Sequence, residues 1–299
     1  MRKGIILIFC TAIISGVSIF VNQYGVKVVN SYVFTGLKNI VVAALLFGLI
    51  IVIKKWPELK KLQKKDWLNL VIIGLVGGSV PFLMFFKGLS LSTGPEAAYL
   101  HKFMFVFVLL LAPLFLKEKF KWQYSIGFLF LIIGSMLLYK INGAINWNHG
   151  DTLILGATFL WAIENMISKK VLHKLSGTIV GWGRMFFGSL FIIIFWAYTN
   201  QFYSLLTLNL QQMNWVLISG ILLFGYVLTW YNGLKTVPVS LAASILALGA
   251  PITSLLEIAQ GKVYAVNQIY GIIFMFLGII VYIILVKQCS PSKTLAVTQ

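Results

Sequence analysis

The sequence predicts an all-α membrane protein with ten transmembrane helices, built as two inverted five-helix repeats around a central cavity. Three observations predict this fold. The 299 residues are 60% hydrophobic and 10% charged, with a mean hydropathy of +0.93, whereas a soluble domain carries about 25% charged residues. Apolar stretches of about 20 residues, the length that crosses the hydrocarbon of a bilayer, recur along the whole chain. The second half of the chain also repeats the first.

The spans run over about residues 4–23, 31–53, 67–90, 94–116, 121–139, 151–169, 177–198, 214–235, 238–259 and 264–286. The first resembles a signal peptide, with Arg2 and Lys3 ahead of an apolar run. The same segment returns mid-chain, where it cannot be a cleaved leader, so it reads as a span. Residues 1–145 form the first five-helix unit and 146–288 the second, with 289–299 a disordered cytoplasmic tail.

Basic residues set the expected orientation. With the N-terminus in the cytoplasm and alternating spans, seventeen of the 24 Lys and Arg fall in cytoplasmic segments. Only Lys27, Lys140 and Lys262 fall outside, and Lys38, Lys87, Lys102 and Arg184 lie within spans. This is the positive-inside pattern. It accounts for the net charge of +17 without a nucleic-acid partner. Trp56, Trp67, Trp122 and Trp147 lie near span ends, where interfacial anchors belong.

The repeat is visible in short matches. SGVSIFVNQYGVK (15–27) aligns with WAIENMISKKVLH (161–173), an offset of 146 that also places Lys38 on Arg184. FFKGL (85–89) aligns with WYNGL (230–234), and Gly127 with Gly271, at offsets of 145 and 144. Because each unit has an odd number of spans, the second enters from the opposite side.

These segments resemble the drug/metabolite transporter superfamily, EamA type. The resemblance rests on SGVSIFVNQYG with FTGLKNIVVAALL, on LWAIENMISKK with WGRMFFGSL, and on the acidic turn and glycine-bearing helix of LKEKFKWQYSIGFLFLIIGSMLL. It spans nearly the whole chain. QGKVYAVNQIYGI departs from the pattern, with Lys262 where the family often has Glu, as does the His101–Lys102 pair in helix four. The resemblance implies a basket of helices around a cavity and export or uptake of small metabolites, often amino acids.

Ionisable groups inside a membrane are costly, so they face an interior or a wet cavity. Lys102, about 12 Å into its span at 1.5 Å per residue, is read as lining the cavity and attracting a substrate carboxylate. Its structural alternative is a pair with Glu257 or Glu96. His101 is a packing residue or a proton relay, which makes a coupling proton a candidate partner. Glu96, Lys38, Lys87 and Glu257 complete an outer-half set of charges. Glu164 and Arg184 form an inner ion pair or gate. Trp230 and Tyr231 align with Phe85 and Phe86 and are expected to face them across the cavity. Gly77-Gly78-Ser79 before Pro81, and Gly249-Ala250-Pro251, are candidate hinges or close-packing sites.

The sequence has no P-loop and no dinucleotide glycine motif. Its three histidines are scattered, and Cys10 and Cys289 lie apart, so neither a metal, a cofactor nor a disulfide framework is expected. No catalytic triad stands out, and the chain is not read as an enzyme. The expected function is a secondary transporter of a small polar metabolite, such as an amino acid or other carboxylate, working by alternating access. A passive channel and an enzyme acting on a lipid-linked substrate are the alternatives. The expected setting is the inner membrane of a prokaryote, multi-pass, with both termini cytoplasmic. Oligomeric state is left open.

Overall fold

The computed structural model describes residues 2–118, 125–138 and 147–289. Lys119, Lys121, Trp122, Lys140 and residues 290–299 of the expected tail lie outside the described residues.

Every described element is helical: α1 Arg2–Val28, α2 Ser31–Val52, α3 Trp56–Lys60, α4 Lys64–Ile73, α5 Val80–Leu91, α6 Gly94–Lys102, α7 Met104–Leu116, α8 Ser125–Leu138, α9 His149–Leu172, α10 Gly177–Tyr198, α11 Phe202–Leu206, α12 Leu210–Leu234, α13 Val239–Leu246, α14 Gly249–Ala259 and α15 Val266–Cys289. A π-helical segment, Gly74–Ser79, joins α4 to α5. Counting such joined pieces together, seven helices among the described residues are long and apolar enough to cross a membrane. Helix α9 has 24 residues but carries Asp151, Glu164 and Asn165, which lower its hydropathy. The apolar helices Ile126–Leu138 and Val266–Tyr282 are shorter over their described residues.

Polarity is arranged inside out. Leu110, Leu114, Ile194 and Ile221 are exposed on the outer face, while Lys38, Lys102, Glu164 and Arg184 are buried. In water such a surface would be a large apolar patch; against lipid it is the matched solvent.

Helix pairing follows the repeat. Helix α1 packs on α12 and α14, while their counterparts pair as α9 on α5 and α7. Helices α2 with α10, and α8 with α15, each pair with their own counterpart. Glycines set these contacts, because a bare Cα lets backbones approach closely. A Cβ built on Gly4 would lie 3.1 Å from the Gly233 carbonyl, and one on Gly88 would lie 2.7 Å from that of Gly150. Gly4 aligns with Gly150 and Gly88 with Gly233, so this is one contact made twice.

The bundle ends are tied differently. At one end, Lys174 pairs with Asp66 at 2.6 Å, and the Ser176 amide donates to Glu58 at 2.7 Å. Lys117, in the left-handed region at φ 55°, ends α7. The next residue, Glu118, accepts from the Val239 and Ser240 amides at 2.8 and 3.2 Å and so caps α13. At the other end, Gln23 donates to Glu257 at 3.0 Å and accepts from the Gly94 amide at 3.2 Å.

Trp56 and Trp147 are exposed near helix ends. Trp67 instead packs edge-on against Trp182 and Phe187.

Candidate functional site

A cavity lies within the bundle, with about 60 Å³ open to the centres of water-sized molecules. Helical spacing brings one stripe of each helix to it. Ser15, Ser18 and Asn22 recur every three or four residues on α1, a single face. Facing them are Glu164, Asn165 and Trp161 on α9, with Tyr226 and Trp230 on α12. Phe82, Phe85 and Phe86 come from α5. Single cations enter from α2 (Lys38) and α10 (Arg184), and His101 closes α6.

Lys38 is 1% exposed. Its Nζ lies 3.0 Å from the Phe86 ring centroid, 5.2 Å from that of Phe34 and 5.5 Å from that of Phe82. The rings offer their negative faces to the ammonium, and no acidic side chain pairs with it among the described residues. All seven acidic residues of the chain are described. Six of them serve helix caps or bundle ends, and Glu164 alone lines the cavity.

Arg184, the repeat counterpart of Lys38, lies on the same ring, its guanidinium carbon 5.2 Å from the Phe82 centroid. The expected Glu164–Arg184 ion pair does not form. Arg184 instead donates to the Gly77 carbonyl at 3.1 Å. Glu164 accepts from the Tyr231 hydroxyl at 2.6 Å and from the Ser168 hydroxyl. The Tyr231 ring lies 5.8 Å from the guanidinium carbon. The reason lies in the π-helical segment. It runs into Pro81, which has no N–H for the Gly77 carbonyl four residues before it, and side chains take up the free carbonyls. Gly77 also accepts from Trp161 at 2.9 Å, and Gly78 from Asn39 at 2.8 Å.

Lys102 is buried but is not on the cavity wall. Neither Glu257 nor Glu96 is its partner. Its Nζ donates to Ser15 Oγ at 2.5 Å and lies 3.2 Å from His101 Nδ1. Adjacent residues at the end of α6, which stops at Lys102 before α7 restarts at Met104, point about 100° apart around the helix. This turns Lys102 toward α1 and α14, and His101 toward the cavity.

The other outer residues also lie away from the cavity. Glu96 closes a capping box with Thr93 at the start of α6. Glu257 is held by Lys262 at 2.5 Å and by Gln23. Lys87 sits 6.0 Å from the Tyr32 ring. Trp230 does line the cavity, donating to Asn165 at 3.0 Å. Tyr231 lies behind it on Glu164.

Sequence reading missed Ser15, Asn22, Trp161, Asn165 and Tyr226. The 3–4 spacing of Ser15, Ser18 and Asn22 within an apolar span was an available signal. The Phe103 break was not, since nothing in HKFMF breaks a helix by propensity.

The arrangement is a buried, aromatic-lined, net-basic chamber, a form suited to binding small molecules. Helices of this kind with such an interior define a multi-pass membrane protein, and the comparisons supply its family. The EamA-like transporter family model matches residues 2–140 and again 148–284. The chain belongs to the EamA-like transporter family. An uncharacterized transporter of Clostridium kluyveri is 23% identical over 100% of this chain and 98% of its own length. The riboflavin transporter ImpX of Fusobacterium nucleatum is 26% identical over 81% of this chain and 83% of its own. A crystal structure shares the fold with a TM-score of 0.73, covering 95% of this chain and 98% of that one at 15% identity.

Proposed function

We propose that the chain is a secondary transporter of a small metabolite bearing a carboxylate, moved by alternating access between two oppositely inserted five-helix halves. The observation that carries this reading is Lys38, a buried cation on the cavity wall held, among the described residues, by aromatic faces. An anion entering the cavity gives that charge its missing partner. The surrounding Phe82, Phe85, Phe86 and Trp161 suit an apolar or ring-bearing body on the same solute; the riboflavin of the Fusobacterium relative's name is also a ring compound. Glu164 and Asn165 offer acceptors for an amino group.

The repeat-related helix pairing and the twice-made glycine contact support the inverted halves, and with them ten crossings. Breaks at Phe103 and at Ala247–Leu248 fall at equivalent places in helices four and nine. Discontinuous helices at mid-membrane are where transporters bind and move. The gathering of Lys54 to Lys65, Lys169 to Lys174 and Lys235 into segments tied at one bundle end supports a cytoplasmic face there, in an inner membrane.

The test is counterflow in proteoliposomes with L-phenylalanine, benzoate, L-serine and riboflavin as probes. Saturable exchange of a carboxylate is expected. Flux of any probe that rises linearly without counterflow would favour a channel, and exchange of neutral or cationic solutes alone would refute the carboxylate assignment.

A further inference from the structure

We propose that His101 and Lys102 form a proton-binding site that opens on the cavity through the imidazole. Lys102 is 1% exposed, and none of the seven acids pairs with it. An isolated buried ammonium is costly. The groups it does meet are an alcohol and an imidazole. Nζ is 2.5 Å from Ser15 Oγ and 3.2 Å from His101 Nδ1. At that separation two nitrogen bases share one proton, since a second would set imidazolium against ammonium.

Around the pair, α1 contributes Ser15, and α5 and α9 pack Phe85 and Trp161 on the imidazole, with ring centroids at 5.3 and 4.9 Å. Gly249 of α14 leaves the room that Nζ occupies; a Cβ there would lie 3.0 Å from it. The charged groups sharing the cavity with His101 are Lys38, Glu164 and Arg184. The end of α6 at Lys102 adds the negative pole of a helix, which favours the protonated state.

The ring's remaining nitrogen, Nε2, has no hydrogen bond to the described protein, and the ring lines the cavity. That gives a balanced transfer. A proton from the cavity bonds to Nε2 while the Nδ1–H bond breaks and its proton bonds to Nζ. A neutral amine and imidazole become an ammonium and an imidazole of the other tautomer, with one positive charge gained. The charge arrives on the residue next to the helix break, on the element that would move. Coupling of this proton to transport rests on the transporter reading; the binding site itself does not.

The test uses the full chain in nanodiscs. A positive charge arriving close to an indole changes its emission, and Trp161 is in ring contact with His101, whose Nδ1 lies 3.2 Å from the Lys102 Nζ that receives the charge. The emission lost in W161F is titrated between about pH 4 and pH 9, the range in which histidine environments switch. A titrating component is expected in the wild type, gone in H101Q, with its midpoint moved by about one pH unit or more in K102M, as for coupled sites. S15A, which keeps the lysine, should move the midpoint too and serves if K102M does not fold. A component unchanged in H101Q, or a midpoint unmoved in both K102M and S15A, would overturn the proposal. Lost counterflow with an intact titration would fall on the transporter reading instead.

Discussion

Replacing Lys38 by methionine separates the two roles a buried cation can have. In the folded chain its ammonium gains cation–π attraction from Phe86, at 3.0 Å to the centroid, with weaker help from Phe34 and Phe82. Desolvated contacts of this kind are worth about 2 kcal/mol. Against that stands a desolvation penalty of several kcal/mol for an ion with no counter-charge. The charge therefore does not stabilise the fold, and methionine, of similar length, fills the same slot among the rings. Thermal stability of K38M should be unchanged or higher. A bound carboxylate, by contrast, loses its partner, at a cost of about 2–5 kcal/mol for a desolvated pair. At about 1.4 kcal/mol per decade, half-saturation in counterflow should rise by about 30-fold or more. The assay pairs counterflow with a melting curve on the same preparation. A large drop in melting temperature, or transport unaffected by the change, would refute the reasoning.

Three further outcomes follow from the geometry. Gly78→Ala should cost at least 1–3 kcal/mol, roughly the range for overpacking, because a Cβ there meets the Arg184 backbone; Gly48→Ala, with nothing within 4 Å, should be neutral or gain up to about 1 kcal/mol. Melting curves of both variants check the contrast. Glu118→Gln should lower stability by about 1 kcal/mol through the weakened cap of α13, read in the same way. Exchanging Glu164 and Arg184 should not recover the folded yield lost in either single neutralisation, since each holds different partners, Tyr231 and the Gly77 carbonyl. Recovery on size-exclusion chromatography would restore the direct ion pair.

Much of the architecture was legible in the chain because membrane folding leaves few options. Backbone groups in hydrocarbon must bond within helices, so long apolar stretches announce membrane-crossing helices, and seven of the described ones are long and apolar enough to cross. The small-residue positions Gly4, Gly88, Gly150 and Gly233 likewise carry the packing in plain view. The site was legible only in part. Lys38, His101, Trp230, Glu164 and Arg184 were found because charge or repeat position marks them, and all five reach the cavity. Lys102 and Tyr231 were assigned to the wall but lie one layer behind it.

What the sequence alone determined is the class of solvent, the helical content and the internal repetition, each a property summed over many residues. What only the tertiary structure decided is which charge meets which. There are two local departures from α-geometry, the π-helical turn at Gly74–Ser79 and the break at Phe103, and at the first the Gly77 carbonyl is left for Arg184 and Trp161. The glycines ahead of Pro81 mark the first as a place where a helix can deform, whereas nothing in HKFMF marks the second.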